Sequence, residues 1–143
     1  MIESILLVDD ENLFHLVFED ACNLLDITLA LKTLNSADKA EKYFKEIIEH
    51  GDPKPDCIFV DLNIVGSSFD GIELIRKINF EYGDGVVIGI ISSSDDKSEQ
   101  AKALKAGAQF WIIKSDEIEP RLEEFKKDFE KYKSRKAQFK VYR

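Results

Sequence analysis

The distribution of apolar residues constrains the fold of this chain more than any other feature of its sequence. Five short, nearly continuous apolar segments alternate with longer segments in which apolar residues recur every three or four positions. Short apolar runs are typical of strands buried on both faces, and the longer spacing is typical of amphipathic helices. The predicted strands span residues 4–8, 27–32, 57–60, 86–91 and 109–113.

A segment with helical spacing follows each predicted strand and carries helix-terminal signals. The predicted helices span about residues 11–25, 36–50, 71–82 and 95–106, and a last helix runs from about residue 116 into the tail. Ser36 is a typical N-cap, and Gly51 and Gly107 stand just past two helix ends. This alternation predicts an α/β fold: a flavodoxin-like, doubly wound, five-stranded parallel sheet of order 2-1-3-4-5 with helices on both faces.

Length and charge narrow the functional class. The 143 residues suffice for one domain, and no stretch approaches the roughly 20 apolar residues that a membrane span needs. The N-terminus lacks the basic and apolar regions of a signal peptide, so we expect a cytoplasmic protein. The formal net charge of −8 disfavours direct binding to nucleic acid or to an anionic membrane.

Polar side chains follow four of the predicted strands at the edge where such sheets bind ligands. Asp9 and Asp10 follow the first strand, Asp61 follows the third, and Ser92 and Lys114 follow the fourth and fifth. Because strands 1, 3, 4 and 5 are neighbours in the predicted order, their carboxyl ends converge. Three close carboxylates repel one another, and oxygen ligands of this kind suit Mg²⁺. We therefore expect a Mg²⁺ site beside the lysine ammonium group.

Asp61 is the best candidate for a nucleophile because it is the central carboxylate of this group. A carboxylate can attack phosphorus and form an acyl phosphate. The transition state of phosphoryl transfer spreads charge over the equatorial oxygens, so catalysis needs cations and positioning more than a general base. Mg²⁺, Lys114 and the Ser92 hydroxyl would bind those oxygens. The pattern predicts a protein that accepts a phosphoryl group.

The same segments resemble the motifs of response regulator receiver domains. The matching segments are residues 5–11 (ILLVDDE), 61–64 (DLNI) with 70–74 (DGIEL), 87–92 (VIGIIS) and 107–114 (GAQFWIIK). Each motif alone is weak, but all of them occur in the family's order and at its intervals. The resemblance covers residues 3–130, and it implies a receiver domain over residues 1–130. We expect residues 131–143 to form a basic extension of the last helix.

The resemblance also implies a role for each candidate residue. Asp61 matches the phosphorylated aspartate, Asp10 the carboxylate that binds Mg²⁺ directly, and Asp9 a neighbour that acts mainly through water. The other matches are Asn63 for the backbone carbonyl of the metal site, Ser92 for the switch hydroxyl, Lys114 for the phosphate-binding lysine and Trp111 for the aromatic switch position. The implied donor is a histidine kinase or a phosphotransfer protein, and the implied output is binding to a downstream protein that the sequence does not identify. Such a chain is a regulatory phosphoacceptor with slow self-dephosphorylation, not an enzyme.

Three departures from the family's pattern border the predicted site. Val65 replaces a usual proline, and residues 66–69 make that loop longer than expected. Ser115 stands where a proline, often in the cis form, follows the lysine. A cis bond to a non-proline residue costs about 3 kcal/mol, so a trans bond and a strained cis bond are both open. Trp111 is larger than the usual tyrosine or phenylalanine, and we expect it to be harder to bury in the phosphorylated state.

Other interpretations remain open from the sequence alone. The chain could instead be a degenerate receiver that binds partners without phosphorylation, or a Mg²⁺-dependent phosphatase of another α/β class. The last helix also carries an apolar stripe that is longer than one side of a small sheet requires: Ile118, Leu122, Phe125, Phe129 and Tyr132. The stripe indicates either a simple extended helix or a surface that packs on a partner or, as a homodimer, on a second copy.

Overall fold

Strands and helices alternate along the whole chain, and a sixth strand follows the last helix. The computed structural model describes residues 2–64, 66–82 and 85–143. Its elements are β1 (Ile2–Val8), α1 (Asn12–Leu24), β2 (Thr28–Leu34), α2 (Ala37–His50), β3 (Cys57–Asp61), α3 (Gly71–Tyr82), β4 (Val87–Ser92), α4 (Lys97–Ala106), β5 (Phe110–Ile113), α5 (Glu119–Lys133) and β6 (Lys140–Tyr142). In these ranges no helix is both long enough and apolar enough to cross a membrane.

The sheet is parallel throughout and has the order β2-β1-β3-β4-β5-β6. Its two faces carry separate hydrophobic clusters. One cluster joins the sheet to α1 and α5, and the other joins it to α2, α3 and α4. The prediction of an α/β fold with a parallel sheet and five helices is thereby confirmed, because buried strands need a helical layer on each face.

The predicted number of strands is wrong, since the sheet has six strands and not five. The error lies in the tail, where we expected residues 131–143 to continue the last helix. The helix ends at Lys133, and Arg135 adopts a left-handed conformation with φ of 62°. The amides of Lys136 and Ala137 both donate to the Lys131 carbonyl and close the helix end. The chain then turns back, and residues 140–142 pair with β5.

The apolar stripe of α5 faces the interior of the chain. All five of its residues are at most 2% exposed. Phe125 lies at the centre of an aromatic cluster, with ring centroids 4.5 Å from Phe110, 5.6 Å from Tyr132 and 5.9 Å from Tyr142. The sixth strand therefore explains why the stripe is longer than a five-stranded sheet requires. The observation that suggested a homodimer through this helix is accounted for within one chain.

Tyr142 anchors β6 to α5 through its hydroxyl group. This group donates to Asp128 Oδ2 at 2.7 Å and lies 2.8 Å from the buried Tyr132 hydroxyl. We expect Tyr142→Phe to lower the free energy of unfolding by about 1–2 kcal/mol, because it removes both hydrogen bonds and leaves a buried hydroxyl without one of its partners. Urea unfolding measures this difference. Tyr43→Phe, on the half-buried side of α2, is the matched control, and an equal loss in both variants would contradict the anchoring role.

Candidate functional site

The carboxyl ends of four strands bring the predicted polar residues to one edge of the sheet. Val8 pairs with Val60, Asp61 with Ile91, and Ser92 with Ile113. The residues that end these strands, or follow them directly, are therefore level with one another. The Lys114 amide also donates to the Ser92 carbonyl at 2.7 Å, which extends the pairing of β4 and β5 into the site.

Lys114 reaches across this edge and lies among three carboxylates. Its Nζ atom is 2.8 Å from Asp9 Oδ2, 2.5 Å from Glu11 Oε1 and 3.7 Å from Asp61 Oδ2. The same ammonium group lies over the ring of Phe14, 4.5 Å from its centroid. Only 9% of the lysine side chain is exposed. A nearly enclosed cation thus links the acidic group of β1 to the carboxylate at the end of β3.

Burial and repulsion change the acidity of Asp61. Its side chain is nearly enclosed, and loss of water together with the Asp9 carboxylate raises its pKa to about 7, although Lys114 acts in the opposite direction. For Lys114 itself, burial lowers the pKa, but hydrogen bonds to Asp9 and Glu11 together with the negative charges of Asp61 and Asp9 outweigh burial and leave the pKa above its ordinary value. The Lys114 ammonium group stays charged. Because its pKa is about 7, Asp61 is only partly ionised near neutral pH unless another cation is present.

The donor set suits a hard divalent cation. Oxygen atoms of Asp9, Glu11 and Asp61 all lie within 4.8 Å of one another. Asp9 Oδ2 is fully buried, and among the described residues its one close partner is the lysine ammonium group. Three carboxylates against one ammonium group leave excess negative charge, and an all-oxygen set is what Mg²⁺ prefers. The residues therefore fit this ion.

Asp10, which we predict to bind Mg²⁺ directly, is not one of these three converging carboxylates. It is half-buried, and its charge contributes to the raised pKa of Asp61. Glu11 takes part instead, and no motif in the sequence distinguishes it as a site residue. Its amide donates to Asp9 Oδ1 at 2.8 Å, and this turn brings both side chains to the same side. The direct role of Asp10 stays a prediction.

The remaining predicted residues surround this group. Ser92 is buried, and its hydroxyl oxygen accepts from the Ser94 amide at 3.1 Å. Trp111 is fully buried, and its Nε1 donates to the Ser94 carbonyl at 3.0 Å. Asn63 is exposed in the loop after β3. His15 Nε2 lies 2.5 Å from the Asp9 carbonyl oxygen and holds the turn after β1.

A comparison with known protein families shows to which family this chain belongs. The response regulator receiver domain family matches residues 5–123. The chain belongs to this family. No curated protein sequence matches this receiver domain.

Several solved structures share the fold of this receiver domain. A response regulator from Thermotoga maritima has a TM-score of 0.72 and 23% identity, covering 91% of this chain and 99% of that one. The phosphorylated cyanobacterial phytochrome response regulator RcpA has a TM-score of 0.73 and 20% identity, covering 96% and 98%. The Mn²⁺-bound form of the response regulator Rcp1 has a TM-score of 0.69 and 18% identity, covering 92% and 90%. At these identities the likeness establishes the fold alone.

The structure describes two of the three positions at which this receiver domain departs from the family's pattern. The described residues contain no cis peptide bond, so the bond between Lys114 and Ser115 is trans. Trp111 is fully buried in this structure, where Phe139 and Val141 of the tail pack against the same cluster. Its burial in the phosphorylated state stays a prediction. Val65 lies outside the described residues.

The longer loop after β3 is fastened to the start of α2. Ser67 Oγ accepts from the Ala37 amide at 2.8 Å, and the Ser68 amide donates to Asp38 Oδ2 at 2.9 Å. This hydrogen bond from Ser68 holds the pKa of Asp38 below its usual value. These hydrogen bonds join the loop after β3 of this receiver domain to its second helix.

Gly71 packs directly against the backbone of the predicted phosphoacceptor. A Cβ atom at this position would lie 2.1 Å from the Asp61 carbonyl oxygen and 3.1 Å from Leu62 Cα. We expect Gly71→Ala to lower the free energy of unfolding by about 1–3 kcal/mol, because α3 and the end of β3 must move apart. We also expect it to weaken binding of a phosphoryl mimic.

Unfolding in urea and titration with beryllofluoride measure the two effects of Gly71→Ala. Gly51→Ala is the control, since its Cβ meets nothing within 4 Å, although its φ of 68° makes it strained as well. If both alanine variants keep wild-type affinity for beryllofluoride, the contact between Gly71 and Asp61 has no role in positioning the carboxylate.

Proposed function

We propose that this receiver domain accepts a phosphoryl group on Asp61, with Mg²⁺ bound in the acidic site, and thereby changes its binding to a downstream protein. The donor is a histidine kinase or a phosphotransfer protein, and the reaction takes place in the cytoplasm. The domain acts as a regulatory phosphoacceptor that slowly loses its own phosphoryl group. Direct binding to nucleic acid or to a membrane is not part of this function.

One observation carries the proposal: the Lys114 ammonium group contacts Asp9 and lies 3.7 Å from Asp61 within a group of converging carboxylates. A structural ion pair needs one acid, and the surplus of negative charge here calls for a further cation. Membership of the receiver domain family supports the same use of the site. The Mn²⁺-bound form of Rcp1 and the phosphorylated form of RcpA show that proteins of this fold take a divalent ion and a phosphoryl group.

The side chains divide the work of phosphoryl transfer. A carboxylate oxygen of Asp61 attacks phosphorus, and the bond between phosphorus and the donor nitrogen breaks. Lys114 stabilises the negative charge that develops on one phosphoryl oxygen, and the Ser92 hydroxyl donates a hydrogen bond to another. Besides Asp61, the proposed ligands of Mg²⁺ are Asp9, Asp10 and the Asn63 carbonyl. Mg²⁺ in this site supplies positive charge that keeps Asp61 ionised and neutralises the incoming phosphoryl group.

Beryllofluoride, a mimic of the phosphoryl group, tests the proposal directly. We expect it to bind only when Mg²⁺ is present and to change the fluorescence of Trp111, the single tryptophan of the chain. The indole nitrogen of this residue is bonded to the loop after β4, so its emission reports movement of that loop. Asp61→Asn should remove the response, and Asp20→Asn, on the exposed side of α1, should keep it.

Two other results would replace the proposal. Wild-type protein that gives no response to beryllofluoride at any Mg²⁺ concentration, by fluorescence or by calorimetry, would be a receiver that acts without phosphorylation. Multiple turnover of a small phosphomonoester would indicate a phosphatase.

A further inference from the structure

The C-terminal strand β6 covers the edge of the sheet beside the proposed switch. Val141 stands opposite Trp111, and Tyr142 stands opposite Ile112. Val141 packs against the cluster that contains Trp111, whereas Tyr142 is buried in the cluster on the other face of the sheet. A strand of only three residues is thus held through both faces.

Arg143, the residue after β6, ties the strand to the loop between β4 and α4. Its Nε donates to Asp95 Oδ2 at 2.7 Å, and its Nη2 donates to Asp95 Oδ1 at 3.2 Å. Two parallel hydrogen bonds of this kind are the geometry with which arginine binds carboxylates most specifically. Asp95 also accepts from Gln100 Nε2 of α4 at 2.7 Å. One carboxylate therefore joins the tail, the loop and the helix.

Hydrogen bonds connect residues 92–96 into one unit. The Ser94 amide donates to Ser92 Oγ at 3.1 Å, and the Asp96 amide donates to Ser94 Oγ at 3.2 Å. The Ser94 carbonyl accepts from Trp111. A movement of the Ser92 hydroxyl toward a phosphoryl group on Asp61 therefore carries Ser94 with it, and the adjoining Asp95 follows.

We infer that phosphorylation of Asp61 loosens β6 from β5 through the contact between Asp95 and Arg143; this inference rests on the proposed function. The moving loop draws the Asp95 carboxylate away from the guanidinium group and shifts the Ser94 carbonyl relative to Trp111. The contact of Asp95 with the tail and the contact of Ser94 with β5 are weakened together.

Coupling of this kind is equal in both directions. Removing the contact between Asp95 and Arg143 frees the loop, so the variant protein binds a phosphoryl mimic more tightly. The arginine and aspartate side chains are 56% and 42% exposed, and exposed pairs contribute little free energy. We therefore expect the affinity to rise by about twofold to fivefold, and by less at high salt.

Arg143→Gln and Lys140→Gln form a matched pair for the experiment. Lys140 lies on the same strand, but its ammonium group contacts Glu124 at 2.6 Å and Asp128 at 3.2 Å on α5, and not the loop. Beryllofluoride is titrated into each full-length protein with Mg²⁺ while Trp111 fluorescence is recorded. Amide hydrogen exchange of residues 138–143 is measured with and without the mimic by mass spectrometry.

We expect tighter binding by Arg143→Gln, wild-type affinity for Lys140→Gln, and several-fold faster exchange of residues 138–143 when wild-type protein holds beryllofluoride. Equal affinities for all three proteins, or unchanged exchange in protein that has bound the mimic, would overturn the inference. If wild-type protein binds no beryllofluoride, the proposed function itself fails. Exchange of residues 93–96 without ligand then decides the coupling, because Arg143→Gln should speed it and Lys140→Gln should not; equal exchange in both variants overturns it.

Discussion

Asp61→Asn is expected to abolish acceptance of a phosphoryl group. The asparagine side chain has the same shape as the aspartate side chain, so the packing at the end of β3 is kept. Its amide, however, is not a nucleophile toward phosphorus. Wild-type and variant proteins are incubated with Mg²⁺ and a phosphorylated phosphotransfer domain, and the added phosphoryl group is detected by intact-protein mass spectrometry. We expect one phosphoryl group on the wild-type chain and none on the variant.

Asp20→Asn is the control for this experiment, because Asp20 is exposed on α1 and the substitution makes the same change of charge. It should be phosphorylated as fast as the wild type. Phosphoryl transfer to Asp61→Asn at the wild-type rate would show that the acceptor is another residue. Hydroxylamine, which cleaves acyl phosphates but not phosphate esters, would then distinguish a second carboxylate from a hydroxyl acceptor.

Without a metal ion, the protein should lose stability as the pH rises from about 4 to about 7. The pKa of Asp61 is raised from 3.8 to about 7, by burial first and by Asp9 second. Between these values the folded chain keeps a proton that the unfolded chain has released, so raising the pH favours unfolding. A difference of this size corresponds to at most about 4 kcal/mol, all of it lost above pH 7.

Urea unfolding in EDTA at pH 5 and pH 8 measures this loss. Asp61→Asn has no such proton, so its stability relative to the wild type should increase between pH 5 and pH 8 by as much as about 3 kcal/mol, because part of the loss has already occurred at pH 5. Mg²⁺ at pH 8 should stabilise the wild type and narrow the gap, because an ion that binds only the folded state adds to its stability. A constant difference at both pH values would show that Asp61 ionises in the folded protein as it does in the unfolded chain.

The sequence predicts the elements of this fold where each element carries its own signal. The apolar run before Asp61 is a strand in the centre of the sheet, and Ser36 caps α2 by accepting from the Lys39 amide. Gly51 and Gly107 end their helices in the left-handed conformation. These signals are local, because burial on both faces and cap geometry depend on a few neighbouring residues.

The strand β6 has no comparable signal. Residues 140–142 are a lysine, a valine and a tyrosine next to a basic segment, and three residues are too few for a period to be recognised. Their structure depends on the free edge of β5 and on the buried hydroxyl of Tyr132, which are distant in the sequence. The long apolar stripe of α5 is the indirect sign of this strand in the sequence. The same stripe could also be interpreted as a contact between chains.

At the candidate site the sequence predicts which strands contribute groups, and it predicts less well which side chains converge. The topology brings Asp9, Asp61 and Lys114 together because they end neighbouring strands. The choice between Asp10 and Glu11 depends instead on the turn after β1, where the Glu11 amide bonds to Asp9. Such contacts determine the conformation of the turn and therefore the direction of each side chain. The spacing of residues along the chain does not predict that conformation.

The parallel direction of β6 has a practical consequence for attaching labels and tags. Because β6 runs in the same direction as β5, Arg143 emerges at the edge of the sheet that carries Asp61, whereas Ile2 starts β1 at the opposite edge. A bulky affinity tag joined after residue 143 would crowd the loop that contains Asp95, and one joined before residue 2 would stay remote from it. A small fluorophore attached at residue 143 would, for the same reason, be well placed to report on the ends of the strands that carry Asp61.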